Sequence, residues 1–307
     1  MDLSSWMQRS ITRASNEGVS GLGSSLKEVQ DFLHRKYLSI GYPQGTPIYE
    51  RDWDVLIILD ACRLDLMEQV SDEFDFITDV DPYMSTGSTS VEWMEKNFTQ
   101  KYQDEMRKTY YVCGNPFSEQ TIDQESFLKV EEVWRHNWDS ELGTIRPRPI
   151  TDRVIRTYRS NPPNRMIVHY MQPHFPFIPE QIGEGMDVSN FDEEDDTATP
   201  WTLLESGKVG YDEVWGKYLD NLRYILEEVE FLLNNITADQ VVITADHGNA
   251  LGERGIYGHP YGWPLDSLRK VPWVQTSASD QGEYEPEIHT ESGDSTTNER
   301  LRALGYL

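Results

Sequence analysis

Two stretches of the chain leave its generally polar texture for unbroken apolar runs. Residues 55–59 read Val-Leu-Ile-Ile-Leu, and residues 241–244 read Val-Val-Ile-Thr. Continuous β-branched runs of this kind fit strands buried on both faces. A shorter run, Ile167-Val-His169-Tyr170, fits a third strand. From Glu213 to Asn234, apolar residues recur at Val214, Tyr218, Leu222, Ile225, Leu226, Val229 and Leu233. That spacing is the stripe of an amphipathic helix, and it feeds directly into the 241–244 run. Strand, helix and strand in alternation predict an α/β fold with a mainly parallel central sheet and helices on both faces.

The rest of the pattern sets the expected boundaries. Residues 1–50 form an N-terminal extension whose amphipathic patch, Leu26 to His34, is expected to pack on the core. Gly41 to Pro47 is a turn-rich connector. The catalytic domain is expected over 51–276, with an exposed, acidic insertion or lid from Gly183 to Ala198. Residues 277–307 read as an acidic, irregular C-terminal tail. No internal repeat is present.

Composition narrows the partners. Asp and Glu number 53 against 27 Lys and Arg, for a formal net charge of -26 in 307 residues. The acids are spread along the chain. Such a surface repels nucleic acid and anionic membranes, so neither is expected as a partner. It fits a protein of a salt-loving source, kept soluble in brine by its charge. Two cysteines, Cys62 and Cys113, make no disulfide framework and fit a reducing cytoplasm. No apolar run reaches the ~18 residues of a membrane helix, and the start, Met1-Asp-Leu-Ser-Ser-Trp, lacks the marks of a signal peptide. The expected location is cytoplasmic, with peripheral attachment to a membrane compatible with it.

Chemistry gathers at the ends of the strands. The first run stops at Asp60 and the second at Asp246-His247-Gly248. Open α/β sheets hold ligands at the carboxyl ends of their strands, and Asp with His is a usual pair of metal donors. Gly248 allows a sharp turn beside them. The plainer alternative is a strand followed by a polar turn. Between the two motifs lies a hydroxyl-rich run, Ser85-Thr-Gly-Ser-Thr89-Ser90, with Glu92 three residues after Thr89. This is a capping box and predicts a helix through Trp93, Met94 and Phe98. A helix N-terminus also attracts tetrahedral anions, and a hydroxyl held there beside a cation becomes a usable nucleophile.

These motifs carry a family resemblance. Asp60-x-x-Arg63-x-Asp65 after its strand, and Thr244-Ala-Asp246-His247-Gly248 followed by Leu251-Gly-Glu253, resemble the two metal motifs of the sulfatase-like branch of the alkaline phosphatase superfamily. The closing segment Leu301-Arg-Ala-Leu-Gly-Tyr306 is similar to the C-terminus of such proteins, so the resemblance runs from about Asp54 to the end. Gly87-Ser-Thr89-Ser-x-Glu92 resembles the nucleophile segment of lipoteichoic acid synthases and related phosphoglycerol and phosphoethanolamine transferases. That match implies Thr89 as both nucleophile and metal ligand, with Ser88 and Ser90 as the next candidates. True sulfatases instead mature a cysteine or serine in a Cys/Ser-x-Pro/Ala-x-Arg run, and neither Cys62 nor Cys113 sits in one.

The resemblance implies an alkaline-phosphatase-like fold and one divalent metal ion held by Asp60, Thr89, Asp246 and His247. Carboxylates with one imidazole suit Mn²⁺ or Mg²⁺ and also admit Ca²⁺ or Zn²⁺. Pro173-His174-x-Pro176-aromatic resembles a substrate-side segment of the same branch, which makes His174 a donor to an ester oxygen or to the leaving group; a histidine held in a Pro-rich turn is the alternative. His259, in Gly258-His-Pro260, is a candidate substrate contact or a plain loop histidine. Arg63 either holds an anionic oxygen or pairs with Asp65. His169 lies within its strand and reads as structural. The expected activity is a metal-dependent hydrolase or transferase of phosphate esters or diesters with a threonine nucleophile, acting on a substrate that can be glycan- or lipid-linked. Three rivals remain: a sulfoester hydrolase without formylglycine, a non-catalytic, metal-stabilised module that binds glycans or phosphates, and a structural partner of surface-polymer or glycan assembly.

Overall fold

The computed structural model describes residues 32–183 and 198–287. A seven-stranded sheet forms its centre. In chain order its strands are β1 (Val55–Leu59), β2 (Asp81–Met84), β3 (Thr109–Cys113), β4 (Lys129–Glu132), β5 (Arg165–Tyr170), β6 (Ala238–Thr244) and β7 (Lys270–Ala278). Across the sheet they run β2-β7-β6-β1-β5-β3-β4. The block β6-β1-β5-β3-β4 is parallel throughout. Only β7 runs against its neighbours β6 and β2. Two short ribbons, Trp138–Asp139 with Thr144–Ile145 and Ala250–Leu251 with Tyr257–Gly258, lie outside it.

All five residues of β1 and of β3 are buried. Neighbouring side chains of a strand point to opposite faces, so both faces of the sheet are covered. The cover comes from helices α1 (Leu64–Val70), α2 (Ser90–Asn97), α3 (Arg148–Ser160), α4 (Pro200–Glu205) and α5 (Tyr211–Leu233). The α/β class and the mainly parallel sheet are those expected. The stripe on α5 is buried at all seven predicted positions. Asp212 and Glu213 in its first turn suit the positive end of the helix dipole. Burying each large aliphatic side chain of β1 and α5 is worth about 1.5–3 kcal/mol, and that term holds the sheet to its cover.

β7 and the ordered segment after it were not foreseen. β7 starts at Lys270, just after Arg269, and runs to Ala278, two residues past the expected end of the domain. Residues 279–287 have no regular structure and lie against α3: Arg159 pairs with Asp280 at 2.7 Å, and the Tyr284 hydroxyl donates to Asp152. The helix over residues 32–38 packs on the loop around Trp263. His34 stacks edge-on against that indole, and Arg35 Nη1 donates to Tyr261 O at 2.9 Å. Residues 26–31 of the amphipathic patch, 184–197 of the expected lid and 288–307 of the tail lie outside the described residues.

Candidate metal centre and active site

Because β6, β1, β5 and β3 are parallel, their carboxyl ends meet at one edge of the sheet. Asp60 follows β1, Asp246 and His247 follow β6, Met171 to His174 follow β5, and Asn115 follows β3. Asp60 is 1% exposed, and Asp246 and His247 are fully buried. One ligand atom from each of these three lies within 4.8 Å of the others.

The backbone fixes each side chain. Ala61 takes a left-handed φ of 62°, unusual for a residue with a Cβ, and this turns the chain so that Ala61 N donates to Asp246 Oδ1 at 3.0 Å. His247 N donates to the same oxygen at 2.9 Å. Asp246 Oδ1 is thereby satisfied, while Oδ2 is buried without a partner. His247 Nδ1 lies 2.9 Å from Gly248 O, a carbonyl that can only accept, so Nδ1 carries the proton. Its Nε2 lone pair then faces Asp246 Oδ2 at 3.5 Å and Asp60 Oδ1 at 3.6 Å. A side chain at 248 is excluded, because its Cβ would stand 2.3 Å from Ser267 O.

Burial would raise the Asp60 pKa, yet the imidazoles of His169, His174 and His247 hold its carboxyl well below the usual carboxylate range. Burial likewise pushes His169 down, but Asp60, Cys113 and Asp246 raise it to about 10. Two acids buried this deep call for a counter-charge, which a protonated His169 can supply and which a bound cation would supply in its place. Asp60 Oδ1 and Asp246 Oδ2, both without hydrogen-bond partners, are the atoms such a cation would take. The donor set therefore fits a divalent ion.

The hydroxyl run behaves as its capping pattern predicts. Thr89 is the N-cap of α2, and its Oγ1 accepts from Glu92 N at 3.1 Å. Glu92 returns the contact by accepting from Ser88 N at 2.8 Å. Thr89 is half-buried. Its neighbour Ser90 points inward: its Oγ is 3.3 Å from Asp60 Oδ2 and 3.3 Å from His247 Nε2. Asn115 Nδ2 donates to Asp60 Oδ2 at 2.7 Å and to Ser90 Oγ at 3.0 Å, tying the two together. Glu92 N is taken by the cap, and Ser90 N and Val91 N are the first-turn amides of α2 without a partner inside the helix.

A cavity of about 300 Å³ opens onto this cluster, lined by Asp60, Thr89, Ser90, Asn115, His174 and His259, with Val91, Phe117, Met171 and Tyr261 as its apolar wall. His174 lies between two cis bonds, Gln172–Pro173 and Phe175–Pro176. Its Nδ1 lies 2.6 Å from Phe175 O, and its Nε2 lies 3.0 Å from His259 Nε2. Burial lowers both histidines against the pull of Asp60, His259 the more so. The pair is therefore neutral at neutral pH. With Nδ1–H given to Phe175 O, His174 Nε2 must accept from His259 Nε2–H. His259 Nδ1 is left as a buried lone pair without a partner.

Arg63 is engaged elsewhere. It grips Asp65 by Nε and Nη2 at 2.8 and 2.6 Å, and through Nη1 it reaches Asn249 O at 2.8 Å and Glu253 at 2.6 Å. It thereby joins the first metal motif to the second. Asn115 escaped the sequence reading, although the rule that singled out Asp60 and Asp246 applies to it. It follows Thr-Tyr-Tyr-Val-Cys113, an aromatic and β-branched run that ends in a polar residue.

No protein-family model matches the chain, and no curated protein matches it in sequence. Its likeness to known proteins is structural. The soluble domain of lipooligosaccharide phosphoethanolamine transferase A from Neisseria meningitidis aligns with a TM-score of 0.51 at 14% identity, over 73% of this chain and 76% of that one. The integral membrane form of that enzyme aligns with a TM-score of 0.51 at 12% identity, over 90% of this chain and 59% of its own length. The fold is thus shared with these phosphoethanolamine transferase structures, and it is the α/β fold expected. Among the described residues, no helix is long and apolar enough to cross a membrane.

Proposed function

We propose that this chain is a metal-dependent hydrolase or transferase of phosphate esters, with a hydroxyl of the first turn of α2 as nucleophile. The observation that carries the reading is the convergence of two partnerless carboxylate oxygens and an imidazole lone pair beside that hydroxyl. A divalent cation held by Asp60, Asp246 and His247 would supply Lewis acidity, favouring the alkoxide of the nucleophile and drawing charge from an ester oxygen. The resemblance implies Thr89 as nucleophile. The contacts of Ser90 with Asp60 and His247 support Ser90 instead, and we take Ser90 as the attacking group with Thr89 as its cap.

In this scheme Ser90 Oγ attacks phosphorus, a new P–O bond forms, and the bond to the leaving oxygen breaks in line with it, the departing oxygen being protonated from water as the proton taken from Ser90 returns to solvent. Amides at the start of α2 steady the equatorial oxygens. His259 Nδ1, the free lone pair of the neutral pair, takes a proton from the attacking hydroxyl, or later from the water or acceptor alcohol that releases the group. His174 orients His259. Arg63 holds the two metal motifs in place.

The charge of the cavity favours singly charged esters. None of its described lining residues is Lys or Arg, so one divalent ion against Asp60 and Asp246 leaves no surplus positive charge for a dianion. Phosphodiesters are therefore preferred over phosphate monoesters, and sulfate esters, also singly charged, are the second reading. The apolar wall of Val91, Phe117, Met171 and Tyr261 suits a lipid-linked or aryl-like group. The buried free thiols fit the cytoplasm, and the acidic composition fits a high-salt milieu.

The test is turnover of aryl phosphodiester, phosphomonoester and sulfate probes in high salt with Mn²⁺, Mg²⁺, Ca²⁺ or Zn²⁺, for wild type and Asp246→Asn. Diester turnover that needs metal and is lost in Asp246→Asn supports the reading. Sulfate turnover alone selects the second. Metal-dependent thermal stabilisation with no turnover of any ester, including glycan- and lipid-linked ones, identifies a binding module instead.

A further inference from the structure

We propose, resting on the metal-dependent reading above, that His169 is a fourth protein ligand of the cation, so that the centre holds two carboxylates and two imidazoles. His169 lies in β5, beside Ile58 of β1, and is fully buried. Its Nε2 stands 3.7 Å from Asp60 Oδ2 and 3.8 Å from Asp246 Oδ2. Those distances are too long for hydrogen bonds. Nε2 has no other partner, and with Asp60 Oδ1 and Asp246 Oδ2 it is one of three buried polar atoms left bare in the same place. Buried polar groups are almost always satisfied, so three bare atoms facing one space point to a shared bound group.

The two imidazoles are held in similar ways, with the difference that Gly248 O only accepts whereas the Tyr111 hydroxyl can donate or accept. His247 has its Nδ1 on Gly248 O at 2.9 Å, and His169 has its Nδ1 on the Tyr111 hydroxyl at 2.8 Å. A histidine that binds metal through one nitrogen regularly ties the other to an oxygen in this way. Tyr111 stacks on the His169 ring at 17° and Trp93 abuts it edge-on at 72°, so the ring is held in place. Spacing comes close to that of a shared ion. Two ligands on bonds of ~2.1 Å at a tetrahedral angle stand about 3.4 Å apart. His247 Nε2 is 3.5 Å from Asp246 Oδ2 and 3.6 Å from Asp60 Oδ1, whereas His169 Nε2 is 3.8 Å from Asp246 Oδ2 and 3.7 Å from Asp60 Oδ2, so His169 stands just outside the tighter group of Asp60, Asp246 and His247.

A second imidazole changes selectivity. Mg²⁺ and Ca²⁺ favour all-oxygen sites, whereas imidazole favours first-row transition ions. The centre is therefore tuned to ions such as Zn²⁺, Co²⁺ or Mn²⁺ over Mg²⁺.

The test is titration of metal-free wild type, His169→Gln and Asp246→Asn with Co²⁺, read by visible d–d absorption, with Zn²⁺ and Mg²⁺ affinities from competition. Wild type is expected to show the intense bands of a four-coordinate site. His169→Gln is expected to lose those bands and at least about 10–100-fold of Co²⁺ and Zn²⁺ affinity, with a smaller loss for Mg²⁺. An unchanged Co²⁺ spectrum and affinity in His169→Gln, while Asp246→Asn loses binding, overturns the role of His169 and leaves the metal reading intact. Absence of saturable binding in wild type overturns both. Long-range ¹H–¹⁵N spectra of wild type with and without Zn²⁺ give a check that needs no variant: the Nε2 resonances of both His169 and His247 must move, and movement of His247 alone overturns the proposal.

Discussion

Replacing Ser90 and Thr89 separately by alanine divides chemistry from scaffolding at adjacent positions. Thr89 Oγ1 accepts one N-cap bond, from Glu92 N at 3.1 Å. Losing an N-cap of this kind costs about 1 kcal/mol, which lowers Tm by roughly 2–4 °C in a domain of this size. The reciprocal bond from Ser88 N to Glu92 survives, so α2 keeps its start. Thr89→Ala is therefore expected to lose stability and less than about tenfold of turnover, since a displaced helix start of this order affects rate only through positioning. Ser90 is different. Its Oγ makes two contacts of 3.3 Å to groups that would serve a cation, and Asn115 keeps its 2.7 Å bond to Asp60 without it. Ser90→Ala should leave Tm nearly unchanged and remove at least about 10³-fold of kcat, equivalent to about 4 kcal/mol of transition-state stabilisation.

The assay is steady-state diester hydrolysis at saturating metal, with Tm from calorimetry on the same preparations and metal content measured for each. Equal metal content matters, because a variant that binds no ion would mimic a lost nucleophile. If Ser90→Ala keeps its rate to within tenfold while Thr89→Ala is dead, the nucleophile is Thr89, and the inward contacts of Ser90 only support Asp60.

Arg63→Met removes the fork that holds Asp65, Asn249 O and Glu253; chemical denaturation should show a loss of about 1–3 kcal/mol with KM unchanged, and a large rise in KM with stability intact would make Arg63 a substrate ligand. Gly248→Ala drives a Cβ to 2.3 Å from Ser267 O, so the loop must move; metal affinity by titration should collapse and Tm fall, and a variant that binds metal normally contradicts the close packing. Glu92 is held below the usual carboxylate range, because the Lys96 ion pair and the Ser88 hydrogen bonds outweigh its burial. An acid with a depressed pKa stabilises the fold above its unfolded value of 4.5 and loses that contribution as pH falls through its folded value. Glu92→Gln should therefore flatten the fall of Tm below pH 4.5, and an unchanged slope would show that the pair adds nothing. Finally, kcat/KM for an anionic ester should rise with salt: the Debye length shrinks from ~30 Å at 0.01 M to ~3 Å at 1 M, which screens the formal charge of -26 from the substrate. A flat salt profile would mean that the site is shielded from the rest of the surface.

How much of this was legible in the sequence follows from the range over which each feature is determined. β1, β6 and α5 announced themselves because burial on both faces, or along one stripe, is written in local periodicity. Asp60, Asp246 and His247 were legible because they end such elements, and parallel strands bring their ends together. β7 was missed as a strand because Pro272 interrupts its pattern; it pairs antiparallel beside β6, with Pro272 opposite Pro82 of β2, where local sequence gives no hint of a partner. The choice between Thr89 and Ser90 was likewise beyond the sequence. Both hydroxyls suit a helix start, and only the rotation of α2 against the sheet, fixed by the burial of Trp93 and Met94 on the same face as Ser90, turns Ser90 toward Asp60 and leaves Thr89 at the rim. His169 shows the same limit from the other direction. Inside an apolar strand a lone histidine reads as structural, and its strand position is indeed structural. What the sequence could not convey is that register places it beside Ile58, two residues short of Asp60, so that its free nitrogen faces the acid pair. Local pattern thus determines which residues are buried, whereas strand register and helix rotation determine which buried polar atoms meet, and the chemistry of this centre depends on the second.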